Sequence, residues 1–140
     1  MAEATGHIPK PRLDYTTELT QEIRLDPAST ALIIVDMQYA TGSRTEGLGK
    51  KLAREGKEAY ARERFDRIEQ VVVPNIQRLL AFCREQGLPI VYLVIGSAHP
   101  EFLDMPPHMR MLARETNNRV GTREHEILDE LKPRPGELVL

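Results

Sequence analysis

ALIIVD, residues 31–36, decides how the rest of the chain is read. Five apolar residues, Ala31 to Val35, run without alternation and are closed by Asp36. An unbroken apolar run of strand length is the pattern of a strand covered on both faces in a parallel sheet, and the acid marks its carboxyl end. Two further runs share this character. IVYLVIGS opens with a strand at 90–95, and ELVL, 137–140, follows the turn residues Pro133, Pro135 and Gly136.

Between the first two runs, VVVPNIQRLLAFCREQGLP (71–89) places Val72, Ile76, Leu79, Leu80 and Cys83 on one helical face. Gly87 and Pro89 act as its stop signals. Pro74 either sits in the first turn or kinks a longer helix built with the preceding segment. Between the last two runs, REHEILDELKP (123–133) gives Ile127, Leu128 and Leu131 as a short amphipathic helix, with Thr122 as N-cap. The order strand, helix, strand, helix, strand implies right-handed crossovers and an α/β fold with a doubly wound parallel sheet. Only three strands are on hand, and the first, the most apolar, is left at an edge.

The 140 residues fit one domain, 30–140, preceded by an extended arm, 1–29, that carries Pro9, Pro11 and Pro27. Hydrophobic residues at 41% and charged residues at 29% describe an ordinary globular chain. A net charge of −2 removes the electrostatic case for nucleic acid or an anionic membrane as partner. The first thirty residues lack the apolar stretch of a secretory signal, no window has membrane-spanning length, and the expected location is the cytoplasm. The lone cysteine, Cys83, has no partner for an internal disulfide.

Residues 41–49 read as loop, and 50–70 as an exposed helix crowded with both signs of charge. Glu58 with Arg62 and Glu63 with Arg67 have the i,i+4 spacing that supports such a helix. Acids interleave with bases, so this is a solvated face rather than a nucleic-acid stripe. Nucleotide motifs fail on spacing. GLGKKL (47–52) has Leu52 where a third glycine belongs, and Leu48 follows Gly42 and Gly47 where a P-loop needs lysine.

Asp36 is the most informative residue. Ligands of open α/β sheets bind beyond the carboxyl ends of the strands, where an acid can be tuned to handle protons. Position alone leaves a second reading open, an acid that caps a loop or helix. Gln38 and Tyr39, just beyond it, are candidate substrate-binding residues; Gln38 could equally hold the loop by hydrogen bonds. Cys83, mid-helix on the apolar face, reads as a small core hydrophobe. His99, Asp104 and His108 lie in a proline-rich loop whose spacing gives no metal set, and no metal or other cofactor is expected. Arg110, Arg114, Arg119 and Arg123, with His108, make the 98–123 loop basic, a solvated surface or a clamp for a substrate carboxylate.

ALIIVDMQ (31–38), VVVPNIQRLLAFCREQGLPIVYLVIGS (71–97) and GTREHEILDELKPRPGELVL (121–140) resemble successive blocks of the isochorismatase-like cysteine hydrolases. The likeness spans most of 30–140 and leaves out the arm and the 45–70 segment. It implies a six-stranded parallel sheet, hydrolysis of an amide-type bond in a small molecule by an Asp-Lys-Cys triad, and a homo-oligomer, a dimer or larger. Asp36 matches the family's acid. The lysine normally lies just past the strand that ELVL resembles, and the cysteine follows later, so the expectation is a sequence that stops just short of the second catalytic element. Nicotinamidases, which resemble this family, carry a metal site after the second strand; Ser97 stands here in place of its first acid. Two rival readings remain open: a vinyl ether hydrolase without a nucleophile, and a non-catalytic half-fold used for binding or assembly.

Overall fold

The ALIIVD run forms β1, Leu32–Val35, in a computed structural model that describes residues 24–140. Residues 1–23, most of the expected arm, lie outside the described residues. Pro27–Ser29 is a 3-10 turn whose first turn is closed by the Asp26 carboxylate accepting from the Ala28 N–H at 2.9 Å. β2, Ile90–Leu93, and β3, Leu138–Val139, join β1 in one parallel sheet of order β1-β2-β3. Leu32 pairs with Ile90 and Val35 with Leu93, while Val91 pairs with Leu138 and Tyr92 with Val139. β1 stands at an edge of this sheet.

The helices are α1, Tyr39–Gly42, α2, Gly47–Arg54, α3, Arg62–Arg67, α4, Val73–Glu85, and α5, Pro107–Glu115. One face of the sheet is covered. Ile34, Ile90 and Tyr92 pack against Val73, Leu80 and Cys83 of α4 and against Leu128 and Leu131. Each such side chain taken from water contributes about 1.5–3 kcal/mol. Side chains alternate along a strand, so the opposite face carries Ile33, Val35, Leu93 and Leu138, all exposed. Coverage on both faces, expected from the unbroken apolar runs, is thus met on one face among the described residues. On α4 the buried stripe is Val73, Leu80 and Cys83, with Ile76 beside it; Leu79, expected inside, is half exposed.

A π turn, Ile68–Val72, joins α3 to α4, so 62–85 is one continuous helix. The Val73 N–H donates to the Ile68 carbonyl, five residues back. Pro74 explains the wide turn: it has no N–H to offer the preceding carbonyl, and its ring needs room against the turn before it. The expected pairs Glu58–Arg62 and Glu63–Arg67 do not form among the described residues. Asp66 and Glu69 of this helix are taken instead by Arg44, at 2.7 and 2.9 Å. That clamp ties the 39–49 segment to the helix, and the segment is largely helical rather than the expected loop. The glycines of GLGKKL have a packing role: a Cβ on Gly47, at φ +47°, would lie 2.3 Å from the Ala40 carbonyl oxygen, and one on Gly49 2.1 Å from that of Arg44.

The expected helix at 123–133 is replaced by two 3-10 turns, Arg123–His125 and Asp129–Leu131. The backbone between them is spent elsewhere. The Leu128 N–H donates to the Met37 carbonyl and the Tyr39 N–H to that of Glu126, so the segment braces the loop after β1. Thr122 does cap the first turn, accepting from the His125 N–H, and Ile127, Leu128 and Leu131 are buried as their spacing implied. The turn before β3 is locked onto α4. Arg84 meets Glu137 through two parallel hydrogen bonds, Nε to Oε1 at 2.7 Å and Nη2 to Oε2 at 2.9 Å, with side-chain exposures of only 18% and 12%.

Candidate functional site

Asp36 ends β1 in the left-handed backbone region, at φ +54°, which aspartate tolerates better than most residues. Its N–H still donates to the Leu93 carbonyl at 3.0 Å, and its own carbonyl accepts from the Gln38 N–H at 2.9 Å. The chain therefore reverses sharply at the strand end. The Asp36 carboxylate has no hydrogen-bond or ion-pair partner among the described residues. It faces a cavity of about 540 Å³ beyond the carboxyl ends of the strands.

Two walls enclose that cavity. One is apolar, with Met105 before α5 and Met109, Leu112 and Ala113 on it. The other is the α3 to π-turn helix, which presents Arg64, Arg67, Ile68 and Val72, a stripe at helical spacing. Neither wall was visible in the sequence as such: α5 fell within an expected loop, and the arginines within an expected solvated face. The signal that could have found α5 is Pro107 at its first position, followed by Met109 and Ala113 at i,i+4 spacing.

Gln38 is buried and touches the cavity, but its side chain is committed to the chain. Its Oε1 accepts from the Ile95 N–H at 2.9 Å, and its Nε2 donates to the Ile95 carbonyl at 3.0 Å and the His125 carbonyl at 2.7 Å. His125 Nδ1 lies 3.2 Å from the same nitrogen and 3.3 Å from Asn118 Oδ1. Asn118 donates in turn to the Ile95 carbonyl at 2.9 Å. With these bonds Gln38 ties the Asp36 loop to β2, as its loop-holding reading expects, while also lining the cavity. His125 is its partner.

Tyr39 is not brought to the Asp36 cavity. Its ring lies under the Arg123 guanidinium, 3.8 Å away, and its hydroxyl accepts from the Asp129 N–H at 3.2 Å. Burial pushes its phenol up from the ordinary value. Arg123 is spent on Glu126 and Asp129, Arg110 donates to the Leu103 and Met105 carbonyls, and Arg114 to that of Glu101. None of the loop arginines lines the cavity. Asp104 is held below the usual carboxylate range, first by the Ser97 hydroxyl and also by the Ala98 N–H. No three His, Cys, Asp or Glu side chains converge among the described residues. Cys83, on the buried face of α4, lies in the core apart from the cavity, whose lining contains neither cysteine nor lysine.

An acid that no internal bond explains, at the end of the first strand of a parallel sheet, agrees with the resemblance, and comparison with known proteins decides it: the isochorismatase domain model matches residues 30–140. The chain belongs to the isochorismatase family. An isochorismatase-family relative, the ureidoacrylate amidohydrolase RutB of Pseudomonas savastanoi pv. phaseolicola (strain 1448A / Race 6), is 27% identical, with 86% of this chain and 50% of that protein covered. A cysteine hydrolase from Pseudomonas syringae pv. phaseolicola 1448A superposes with a TM-score of 0.59 at 19% identity, over 84% of this chain and 48% of the other. An isochorismatase family protein from Desulfovibrio vulgaris subsp. vulgaris str. Hildenborough gives 0.53 at 24% identity, over 78% and 50%. At these identities the two structures establish the fold. The chain spans about half the length of the relatives it matches. No helix among the described residues is long and apolar enough to cross a membrane.

Proposed function

We propose that this isochorismatase-family chain provides the acid half of a hydrolase site that cleaves an amide-type C–N bond of a small molecule, with Asp36 as general base. The observation that carries the reading is the Asp36 carboxylate, unpartnered among the described residues, at a strand-end cavity. An acid held there in an uncommon backbone conformation, without a structural bond to justify it, is the kind of outlier that functional sites retain. The amidohydrolase name of the RutB relative favours the amide over the vinyl ether.

In this reading Asp36 takes the proton of a thiol, and the thiolate adds to the amide carbonyl. Backbone N–H groups hold the oxyanion; its collapse expels the amine, which leaves with a proton as ammonia and yields a thioester. Water then adds, the acid departs, and the thiol regains its proton. The thiol is not Cys83. Cys83 is buried on α4 and does not line the cavity. Homo-oligomerisation and a cytoplasmic location belong to the same proposal.

Ammonia release from a panel of small primary amides by the full-length encoded protein tests it. The expected result is turnover of at least one amide, and turnover of vinyl ethers alone overturns the amide assignment.

A further inference from the structure

We propose that His125 is a positioning residue for Asp36, acting through the side-chain amides of Gln38 and Asn118 without entering the cavity itself. The inference rests on the reading of Asp36 as general base and adds a group that holds it in place.

The clasp begins where β1 ends. In a parallel ladder that continued, the residue whose N–H donates to the Leu93 carbonyl would accept from the Ile95 N–H with its own carbonyl. Asp36 makes the first of these bonds and not the second. At φ +54° its carbonyl turns to the Gln38 N–H, and the Ile95 N–H donates instead to Gln38 Oε1 at 2.9 Å. The Gln38 amide thus stands in for the missing strand peptide, and its placement fixes the backbone from which the Asp36 carboxylate projects. No side-chain bond does this for Asp36 among the described residues.

His125 closes the clasp from behind. Its carbonyl accepts from Gln38 Nε2, and its Nδ1 lies within reach of that nitrogen and of Asn118 Oδ1. A protonated Nδ1 donates to the Asn118 oxygen and an unprotonated one accepts from the Gln38 amide, so either tautomer ties the ring to one of the two. Both amides meet on the Ile95 carbonyl, Asn118 at 2.9 Å and Gln38 at 3.0 Å. The ring also has a seat of its own. A Cβ on Gly96 would lie 2.7 Å from His125 Cε1 and 3.1 Å from Asn118 Oδ1. Gly96 does not adopt a positive φ, so its missing side chain serves space rather than backbone freedom. Thr122 anchors the backbone of the ring, accepting from the His125 N–H through its carbonyl at 3.2 Å and its Oγ1 at 3.3 Å. Gln38 and Asn118 line the cavity and His125 does not, so a change of this ring reaches the chemistry only through those two amides.

Exchange of the Gln38 side-chain amide protons is followed by NMR in the full-length encoded protein, beside kcat and KM on acetamide, butyramide and benzamide. His125→Ala is expected to speed the exchange and to lower kcat, each by at least about tenfold, with KM unchanged, because the carboxylate loses its angle while the substrate keeps its contacts. His125→Asn restores both, since its amide reaches the place of the ring Nδ1. Gly96→Ala crowds the ring from the other side, removes no donor or acceptor, and gives the same pair of changes as His125→Ala. Far-UV circular dichroism and urea midpoints confirm that each variant is folded. Unchanged exchange or unchanged kcat in both His125→Ala and Gly96→Ala overturns the inference, as does a rise in KM that accounts for the lost activity, or an exchange and kcat that His125→Asn fails to restore. Failure of the underlying reading shows separately, as no turnover of these amides by the unaltered protein or as turnover that persists in Asp36→Asn.

Discussion

Asp36→Asn lowers ammonia release from an accepted amide by about a thousandfold or more while leaving the protein as stable as before. The loss follows from removing the group that accepts the thiol proton, a step worth roughly 10²–10⁴ in rate, with the missing negative charge adding to it. Stability is spared for two reasons. Asparagine has the same shape and is as tolerant as aspartate of the left-handed backbone at φ +54°. The carboxylate also has no bond to lose among the described residues, so the change in unfolding free energy stays within about 0.5 kcal/mol. Turnover and urea midpoints on the same preparations check both halves. Retained turnover removes Asp36 from the chemistry, and a large loss of stability returns it to a structural role.

The second large effect is on stability. Arg84→Met leaves the Glu137 carboxylate largely buried without its ion partner and strips a donor from the Lys132 carbonyl, at a cost of about 2–4 kcal/mol. Arg84 holds the Glu137 carboxyl below its usual range, and the Arg134 N–H adds to this at 2.8 Å. A folded-state value below the unfolded one means stability that is fully present above the ordinary carboxylate range and lost as pH falls through the folded value. Tyr92, in contact with the same carboxylate, behaves in the opposite sense. Burial is the main cause that pushes its phenol up to about 12, so its contribution holds below the ordinary phenol value and is lost as pH rises toward 12. Urea midpoints across pH should fall on both limbs, with Glu137→Gln flattening the acid one. An acid limb unchanged by Glu137→Gln would deny the lock its energetic weight.

Where period and position carried the information, the sequence was readable. The unbroken runs at 31–35 and 90–95 became β1 and β2, and Asp36 reached the strand-end crevice because a parallel sheet leaves its ligands there. The misread parts have physical causes. Ile127, Leu128 and Leu131 have the spacing of a helix face, yet the intervening backbone bonds to the loop after β1, a competition that spacing cannot reveal. The arginines at 64 and 67 looked solvated because acids flank them; only the fold shows that Arg44, twenty residues upstream, takes up Asp66 and Glu69. Gln38 carried both of its readings from the start, and the choice depended on Ile95 and His125, which folding alone brings beside it.

The central claim, an acid here that activates a thiol elsewhere, is tested most directly by the mass of the full-length encoded protein quenched during amide turnover and digested for peptide mapping. The account predicts an acyl increment on a cysteine other than Cys83, absent in Asp36→Asn. An acyl group on Cys83, or turnover with no covalent adduct at all, would contradict it.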